Sequence, residues 1–365
     1  MTKTVPVHLG ERSYQVHVGP GLLDSLGRTA AELPRARAAA VISDDTVAPL
    51  YADRTIKALS EAGLAAEPLT FPAGEPNKTL AAYGKLFDAL FAIDPPIDRD
   101  AIIVALGGGV VGDLAGFIAA TALRGLRFLQ CPTTLLADVD SSVGGKTAVD
   151  HAAGKNLIGA FHQPAAVLID VETLRSLPDA ELANGLAECV KHGVIRDAGL
   201  LDEIEANLDA LHARDADFLT KFVARNVAIK AAVVEEDERE QTGARAHLNF
   251  GHTVGHAVEA LAGYEGLRHG EAVSLGMVAE CAVAVSRGLL PAADADRVRA
   301  LLERLGLPVR RAGLDADAVW QVMLRDKKNR GGNVRMVLPT ALGTVNLFDD
   351  IRPEEIREAI QGVRP

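Results

Sequence analysis

The sequence predicts an α/β N-terminal domain with a mostly parallel, modified Rossmann-like sheet, followed by a mainly α-helical C-terminal domain. In the first half, short apolar runs alternate with segments of helical period, which is the pattern of βα units. One such run, "DAIIVALGGG" (100–109), ends in glycines directly before a helical segment. From about residue 178 nearly every segment has helical period. We therefore divide the chain into residues 1–177 and 178–365.

The elements of both halves follow from periodicity and from turn residues. The opening "MTKTVPVHLGERSYQVHVG" alternates like a pair of strands. Further strands are predicted in "RAAAVISDD", "LAAEPLTFPAG", "DAIIVALGGG" and "RFLQCPTT", and helices in "YADRTIKALSEAG", "TLAAYGKLFDALFAI" and "DLAGFIAATAL". The second half has helical period at 179–195, 199–213, 215–235, 249–262, 271–287, 293–305 and 315–325. A late hairpin is predicted from "VRMVLP" and "TVNLF" across "TALG".

Composition limits the functional classes. The 365 residues are 48% apolar and 24% charged, which is typical of a soluble globular protein. A net charge of −11 argues against nucleic acid or an anionic membrane as a partner. No apolar run approaches the ~18 residues of a membrane span, and no signal peptide is evident. Three separated cysteines without a CxxC pair favour reduced thiols and a cytoplasmic location.

The glycine run GGGVVG (107–112) fits the dinucleotide pattern G-x-G-x-x-G between a predicted strand and a predicted helix. Glycines allow the backbone to approach a pyrophosphate, and the helix N-terminus favours its negative charge. The alternative is a tight strand-to-helix turn without a ligand. No acid follows about 20 residues later, whereas Asp44 ends an earlier strand. The pattern therefore predicts a modified dinucleotide site.

The stretch "SSVGGKTAV" (141–149) is similar to the phosphate loop of nucleoside triphosphatases. That pattern requires a first glycine at the position of Asp140, whose charge would repel a phosphate, so we disfavour an NTPase. Lys146, Lys155 and Asn156 follow one another in a loop-like stretch, with Arg124 upstream. The cations Lys146, Lys155 and Arg124 would suit an anion site, although the alternative is that the lysines are simply exposed on the surface.

A candidate metal site lies in "NFGHTVGHAVEAL", where Asn249, His252, His256 and Glu259 share one helical face. The zincin pattern is excluded because Thr253 stands where its glutamate is required. His269 and the upstream Glu188 supply further donors, and Glu188, His252 and His269 would form an N/N/O set of the kind that catalytic zinc uses. Spacing alone does not decide between the pairs His252/His269 and His252/His256.

Taken together, these segments resemble the 3-dehydroquinate synthase family over essentially the whole chain. The matching blocks are "ALGGGVVGDLAGFIAAT", "RFLQCPTTLLADVDSSVGGKTAVDHAAGKNLIGAFHQP", "LANGLAECVKHGVI", "LNFGHTVGHAVEAL", "HGEAVSLGM" and "DKKN". The resemblance implies an N-terminal NAD⁺ domain, a helical domain with Zn²⁺ or Co²⁺, and a homodimer. It also implies a place in the shikimate pathway.

The resemblance assigns roles to individual positions. It implies NAD⁺ contacts from Asp44, Glu75, Lys78, Gly109, Val110, Val111, Gly112, Asp113, Thr133, Thr134, Lys146 and Lys155. It implies metal ligation by Glu188, His252 and His269, and catalytic roles for Asp140, Lys146, Lys155, Lys191, Glu240 and His256. Substrate contacts are implied for Lys146, Asn156, Lys191, Asn249, His256, the carboxylate-binding pair Lys230 and Arg245, one of Lys327 and Lys328, and Arg124 from the partner subunit.

The implied reaction converts 3-deoxy-D-arabino-heptulosonate 7-phosphate to 3-dehydroquinate and phosphate. It involves transient oxidation by NAD⁺, phosphate elimination, re-reduction, ring opening and aldol closure. Related cyclases that act on sedoheptulose 7-phosphate, or a metal-dependent polyol dehydrogenase, are the enzyme alternatives, and an inactive binding protein is a third. One extra residue near Thr242, relative to the family spacing, affects the assignments of Glu240 and Lys230.

Overall fold

A computed structural model describes residues 1–263, 266–325 and 333–364. The chain forms two compact units. The first consists of Met1–Leu177 and Arg214–Glu235, and the second of Pro178–Ala213 and Glu236–Pro365. Residues 214–235 thus belong to the first unit, although their position in the sequence places them among the helices of the second half.

The described residues form eleven strands and thirteen α-helices. The strands are β1 (Lys3–Val7), β2 (Tyr14–Gly19), β3 (Ala38–Asp44), β4 (Ala65–Phe71), β5 (Ile102–Gly107), β6 (Arg127–Pro132), β7 (Lys146–His151), β8 (Gly154–Phe161), β9 (Ala166–Asp170), β10 (Met336–Ala341) and β11 (Thr344–Phe348). The helices are α1 (Leu22–Glu32), α2 (Ala48–Glu61), α3 (Leu80–Phe91), α4 (Gly109–Thr121), α5 (Asp179–Arg196), α6 (Ala198–Ala206), α7 (Leu208–His212), α8 (Ala216–Glu236), α9 (His252–Leu261), α10 (His269–Ser286), α11 (Ala292–Arg304), α12 (Ala316–Leu324) and α13 (Pro353–Gly362).

The first unit is built on a seven-stranded sheet in the order β1-β2-β9-β6-β5-β3-β4. Every pair is parallel except β1 with β2, which confirms the predicted sheet. Apolar side chains of α1 and α2 pack on one face of the sheet, and those of α3 and α4 pack on the other. Because both faces are covered, β5 (IIVALG) is buried at every position, as its unbroken apolar run predicts.

The connections of β3 and β5 run in opposite directions from adjacent positions in the sheet. The chain passes from β3 through α2 to the edge strand β4, and from β5 through α4 to β6 on the other side. Such a reversal opens a crevice at the carboxyl ends of the strands, where α/β sheets bind ligands. Asp44 ends β3, and Gly107 ends β5.

The segment that carries Lys146 and Lys155 is a β-hairpin rather than the expected loop. The strands β7 and β8 pair antiparallel, with Lys146 opposite Phe161. The alternation of "KTAVDH" with a turn at "AAGK" is a hairpin signal that the two glycine–lysine pairs obscured. Lys146 and Thr147 therefore begin a strand, whereas the phosphate loop of a triphosphatase leads into a helix.

The second unit is helical, with the predicted hairpin formed by β10 and β11. The predicted helix 199–213 is divided into α6 and α7 at Asn207. The helices α9 and α10 approach closely through glycines, since a Cβ on Gly276 would lie 1.9 Å from the carbonyl oxygen of Gly251. Within the described residues, every helix is too short or too polar to cross a bilayer.

Candidate active site

Three side chains of the second unit converge on one point. The Nε2 atoms of His252 and His269 lie 3.4 Å and 3.3 Å from the same oxygen, Oε1 of Glu188. One donor atom from each of the three residues lies within 4.8 Å of the other two. Glu188 is fully buried, and two imidazole nitrogens with one carboxylate form a donor set that suits Zn²⁺. The tertiary arrangement thus groups His269, rather than His256, with Glu188 and His252.

Two of the three metal-ligand candidates, His252 and His269, are placed by side chains of neighbouring helices. Glu280 of α10 accepts hydrogen bonds from the backbone N–H groups of Gly251, Thr253 and Val254, at 2.6, 3.1 and 3.1 Å. These donors flank His252 at the start of α9, where a helix leaves N–H groups unsatisfied. Asn184 of α5 accepts from the N–H of Gly270, next to His269, at 2.5 Å. Both caps are buried, so the three ligand-bearing helices are tied together beside the ligands themselves.

Lys191 lies one turn after Glu188 on α5 and forms an ion pair with its other oxygen, Oε2. Burial alone would raise the pKa of Glu188, but the ammonium of Lys191 and the rings of His252 and His269 hold it well below its usual value. Burial lowers the pKa of His269, whereas Glu188 and Glu259 raise it, to a net value of about 9. Glu188 is therefore an ionised carboxylate held by cationic neighbours.

His256 lies beside this cluster, with its ring centroid 5.2 Å from that of His252 and 6.1 Å from that of His269. It is partly exposed, whereas His252 is buried. Asn249 is also partly exposed and ends a short 3₁₀ helix just before α9. His256 also belongs to a second group of potential ligands, together with Glu259 and His269.

In the first unit, the predicted cofactor residues follow the carboxyl ends of adjacent strands. Asp44 ends β3, Gly109 to Asp113 follow β5, Thr133 and Thr134 follow β6, and Glu75 and Lys78 follow β4. The glycines permit close packing at the turn, because a Cβ on Gly112 would lie 2.8 Å from Oε1 of Gln130. A Cβ on Gly109 would lie 3.1 Å from Oγ of Ser141. Asp44 uses its Oδ1 locally, to accept from the N–H groups of Thr46 and Val47.

Lys78 joins residues that were expected to contact different ligands. Its ammonium lies 2.5 Å from Oδ2 of Asp113, a predicted cofactor residue, and 2.5 Å from Oδ1 of Asn156, a predicted substrate residue. Lys78 is buried, and although burial lowers its pKa, Asp113 and Glu75 raise the pKa above the ordinary value. Lys155 lies 3.4 Å from Glu75 in the same cluster. Lys146, at the start of β7, is exposed within the first unit.

Asp140 and Lys230 form a second polar pair in the first unit. The ammonium of Lys230, on α8, lies 2.7 Å from Oδ1 of Asp140 and also donates to the backbone carbonyl of that residue. Lys230 is buried, so this pairing compensates a charge that would otherwise be costly. Arg124 is exposed, with a positive φ of 71°.

Arg245 lies in the second unit, in a turn organised by Asp237. The carboxylate of Asp237 accepts from the N–H groups of Gln241, Thr242 and Gly243 at 2.7, 3.2 and 2.9 Å. Asp237 is only 4% exposed, although it lies within the acidic run "EEDERE" (235–240). Arg245 is buried and donates to the carbonyl of Glu238, whereas the side chain of Glu240 is 43% exposed. Lys327 and Lys328 lie outside the described residues.

Comparison with known proteins identifies the family. Residues 68–184 match the family model described as 3-dehydroquinate synthase N-terminal, and residues 185–329 match the one described as 3-dehydroquinate synthase C-terminal. The chain is 51% identical over 358 residues to the 3-dehydroquinate synthase of Geobacter metallireducens, covering 98% of each chain. It is 47% identical to that of Desulforamulus reducens, covering 97% of this chain and 98% of the relative. The chain belongs to the 3-dehydroquinate synthase family.

Solved structures of similar fold include other sugar phosphate cyclases. A 2-epi-5-epi-valiolone synthase from Streptomyces hygroscopicus, with NAD⁺ and Zn²⁺ bound, is 30% identical with a TM-score of 0.89, covering 98% of each chain. A 2-deoxy-scyllo-inosose synthase complexed with carbaglucose-6-phosphate, NAD⁺ and Co²⁺ is 28% identical, with a TM-score of 0.87, and the match covers 98% of this chain and 99% of that one. A probable glycerol dehydrogenase from Sinorhizobium meliloti, at 18% identity and a TM-score of 0.63, shares the fold.

The sequence does not single out three buried polar residues that lie beside the candidate site residues. Asn184 and Glu280 cap the helices that begin at His269 and His252, and Asp237 organises the turn before Arg245. A polar residue at a buried position of a helix is the available signal for the first two, because its partners must be supplied by tertiary contacts. Their partners are backbone N–H groups, which leave no trace in the side-chain pattern.

Proposed function

We propose that this chain converts 3-deoxy-D-arabino-heptulosonate 7-phosphate to 3-dehydroquinate and phosphate, using NAD⁺ catalytically and one divalent metal ion. The observation that carries this proposal is the convergence of Glu188, His252 and His269, in a chain 51% identical to a 3-dehydroquinate synthase. The reaction is a phosphate-eliminating lyase step enclosed within an oxidation and a reduction, and it belongs to the shikimate pathway.

Glu188, His252 and His269 would hold the metal ion, which as a Lewis acid lowers the pKa of a coordinated substrate hydroxyl. Zn²⁺ or Co²⁺ fits the donor set, and one structural neighbour contains Zn²⁺ and another contains Co²⁺. Lys191 balances the charge of Glu188 within the buried cluster, and we propose that it also contacts the substrate. His256, partly exposed beside the ligands, is suited to proton transfer because an imidazole can both accept and donate a proton.

The loops at the carboxyl ends of β4, β3, β5 and β6 would hold NAD⁺, whose chemistry is reversible hydride acceptance. The N-terminus of α4 at Gly109 favours a pyrophosphate, and we assign Asp44, at the end of the adjacent strand β3, to the ribose. Thr133 is tied to this crevice, because its N–H donates to the carbonyl of Gly107 at 3.1 Å.

The substrate carries a phosphate and a carboxylate, which explains why an acidic protein concentrates Lys, Arg and Asn at these positions. We assign phosphate recognition to Lys146, Asn156, Asn249 and His256. Lys230 and Arg245 are the proposed carboxylate-binding pair. Both are buried, so each is already held in a fixed position.

The carboxylate separates this substrate from those of the nearest enzyme alternatives. Sedoheptulose 7-phosphate lacks a carboxylate, so an enzyme for it gains nothing from the pair Lys230 and Arg245. The identity to curated 3-dehydroquinate synthases, 44–51%, also exceeds the 30% to the valiolone synthase. A polyol dehydrogenase would release NADH, whereas this reaction returns the hydride to the substrate.

The test is release of inorganic phosphate from the heptulosonate phosphate with NAD⁺ at catalytic concentration. We expect phosphate release without accumulation of NADH, loss of the activity with a chelator, and its return with Zn²⁺ or Co²⁺. Turnover of sedoheptulose 7-phosphate in place of the heptulosonate would assign the chain to the other cyclases. Stoichiometric NADH formation would assign it to the dehydrogenases.

We also propose a homodimer in the cytoplasm. Leu157 and Phe161, on one face of β8, are 46% and 45% exposed, which is the kind of apolar surface that a second copy would cover. The three cysteines are free and buried, in keeping with a reducing compartment. Sedimentation equilibrium of the protein and of a variant with L157E and F161E tests the dimer, which the double substitution should dissociate.

A further inference from the structure

Two groups of potential metal ligands in the second unit share His269. One is the set Glu188, His252 and His269, and the other is His256, Glu259 and His269. Glu259 has no role in the proposed function, yet the residue is only 5% exposed, and a buried carboxylate is costly without partners. The Glu259 carboxylate lies beside the ring of His269, which gives this buried charge a partner.

The two nitrogens of the His269 ring face different carboxylates. Nε2 lies 3.3 Å from Oε1 of Glu188, and Nδ1 lies 4.0 Å from Oε2 of Glu259, at ion-pair distance. A neutral imidazole has one protonated nitrogen, and the nitrogen that binds a metal ion must be the unprotonated one. With Nε2 toward Glu188 and the metal, the proton is on Nδ1, facing Glu259.

His252 is held in the same way. Its Nδ1 lies 3.0 Å from the backbone carbonyl oxygen of Phe250, which can only accept, so Nδ1 is the protonated nitrogen. Its Nε2 is then the unprotonated nitrogen, and it faces Glu188. Both histidines therefore present Nε2 to the metal position, one anchored through a carbonyl and the other facing a carboxylate.

The helix α9 supplies groups to both sides of the His269 ring. His252 begins α9, and Glu259 follows seven residues later, about 10 Å further along the helix axis. The ring of His269, whose centroid is 5.3 Å from that of His252, thus meets a co-ligand at its Nε2 side and Glu259 at its Nδ1 side.

We propose that Glu259 is a positioning residue, which accepts a hydrogen bond from Nδ1 of His269 and so fixes the ring with Nε2 toward the metal. Carboxylates behind metal-bound histidines commonly act in this way. The group of His256, Glu259 and His269 is therefore not a second metal site. A metal ion there would need the Nδ1 lone pair while Nε2 binds the first ion, which requires an imidazolate.

The inference rests on the proposed metal site, so metal binding is measured directly and separately from turnover. Purified apoprotein is titrated with Zn²⁺ against a chromophoric chelator, and with Co²⁺ while its visible absorption is recorded. The variants are Glu259→Leu, which removes the acceptor, and Glu259→Gln, which retains an oxygen acceptor without the charge. Glu271→Gln is the matched control, because Glu271 lies two residues after His269 and accepts from the N–H of Arg268.

We expect one metal ion per chain in the parent protein, in the variants and in the control. Affinity should fall about 10- to 100-fold in Glu259→Leu, by less in Glu259→Gln, and hardly at all in Glu271→Gln. The Co²⁺ spectrum should shift in the Glu259 variants only. Thermal unfolding of each apoprotein reports on folding separately, and Glu259→Gln carries the test if Glu259→Leu does not fold.

Three results would overturn the inference. One is an unchanged affinity and Co²⁺ spectrum in both Glu259 variants, and another is an equal loss of affinity in Glu271→Gln. The third is two ions per chain in the parent protein with one lost in Glu259→Leu, which would make Glu259 a ligand. By contrast, a parent protein that binds no metal ion would contradict the proposed function itself.

Discussion

The carboxylate of Glu280 accepts a hydrogen bond of 2.6 Å from the backbone N–H of Gly251, the residue before His252. With its further bonds to Thr253 and Val254, this fully buried side chain acts as the N-terminal cap of α9, although it belongs to α10. Its negative charge also interacts favourably with the positive end of the helix dipole. The position of His252 thus depends on a residue 28 positions later in the chain.

Replacing Glu280 by Leu should destabilise the protein and weaken metal binding together. Three buried N–H groups would lose their acceptor, which we expect to lower the free energy of unfolding by about 3 kcal/mol. Thermal unfolding of the apoprotein and Zn²⁺ titration measure the two effects. Glu358→Gln, at an exposed position of α13, should change neither. An unaltered melting temperature in Glu280→Leu would contradict the capping role.

Replacing Lys191 by Met should destabilise the metal-free protein far more than the metal-loaded one. The substitution leaves the buried carboxylate of Glu188 without its ion-pair partner, at a cost of about 3–5 kcal/mol. A bound divalent ion supplies positive charge at the same carboxylate. We therefore expect the gap in melting temperature between chelator-treated and Zn²⁺-loaded protein to widen in Lys191→Met. Lys221→Met, at an exposed position, should leave the gap as it is.

Lys78 and Asp113 should be energetically coupled, because they form a buried ion pair at 2.5 Å. Lys78→Met or Asp113→Asn alone should weaken NAD⁺ binding more than tenfold and lower the melting temperature. In the double variant the uncompensated charge is gone, so stability should recover in part, with a coupling of about 1–3 kcal/mol. Calorimetric titration with NAD⁺ and thermal unfolding check this, and additive losses would show that the pair is not coupled.

Asp138 should make the protein less stable as pH rises. It is fully buried in the short π-helical segment Ala137–Ser141, and neither carboxylate oxygen has a hydrogen-bond partner among the described residues. Burial, with the nearby charge of Asp170, raises its pKa well above the ordinary value. The folded state therefore holds a proton that the unfolded chain releases above about pH 4.

Asp138→Asn removes this dependence on pH. The variant should therefore have a higher melting temperature than the parent at pH 8, and the difference should be smaller at pH 5. The difference in melting temperature should grow steadily from pH 5 to pH 8, because the parent protein loses stability as pH rises. Equal melting temperatures of the two proteins across this range would show that Asp138 carries no proton in the folded state. Asp98→Asn, in an exposed loop, serves as the control.

Asp237 should make the protein less stable as pH falls into the acid range. Its desolvation raises the pKa, but the N–H groups of Gln241, Thr242 and Gly243 outweigh that and lower it to about 2. The stabilisation is present above the unfolded value of about 3.9 and is lost as pH falls toward 2. Asp237→Asn should flatten this part of the stability profile in acid-induced unfolding. A variant that unfolds with the same pH midpoint and slope as the parent would contradict it.

The order of elements in the first half followed from local patterns. The strand β5 was recognised because a strand covered on both faces must be apolar throughout, and GGGVVG marked the turn into α4. The hairpin of β7 and β8 was missed, since its short strands contain polar and glycine residues that are equally typical of loops. The place of α8 in the first unit was also missed, because amphipathic spacing shows that a face is buried but not what buries it.

The candidate site also divides into what the sequence predicts and what only the tertiary structure decides. Resemblance to the family selected Glu188, His252 and His269, whereas spacing left His256 and His269 as equal alternatives. The choice between them depends on where α10 begins relative to α9, which is set by the close approach at Gly276 and by the caps from Asn184 and Glu280. Likewise, the bond from Lys78 to Asn156 links two segments that the sequence assigned to separate ligands.

By itself, the sequence determined the fold class, most of the strands and helices, and the residue types that suit a metal ion and a dinucleotide. Periodicity, glycine positions and donor chemistry are local properties, which neighbouring residues express. The tertiary structure alone decided which donors share a point, which nitrogen of His269 faces Glu188, and which buried carboxylates are paired. Those outcomes arise from contacts between residues far apart in the chain, since buried polar groups must find partners wherever packing brings them.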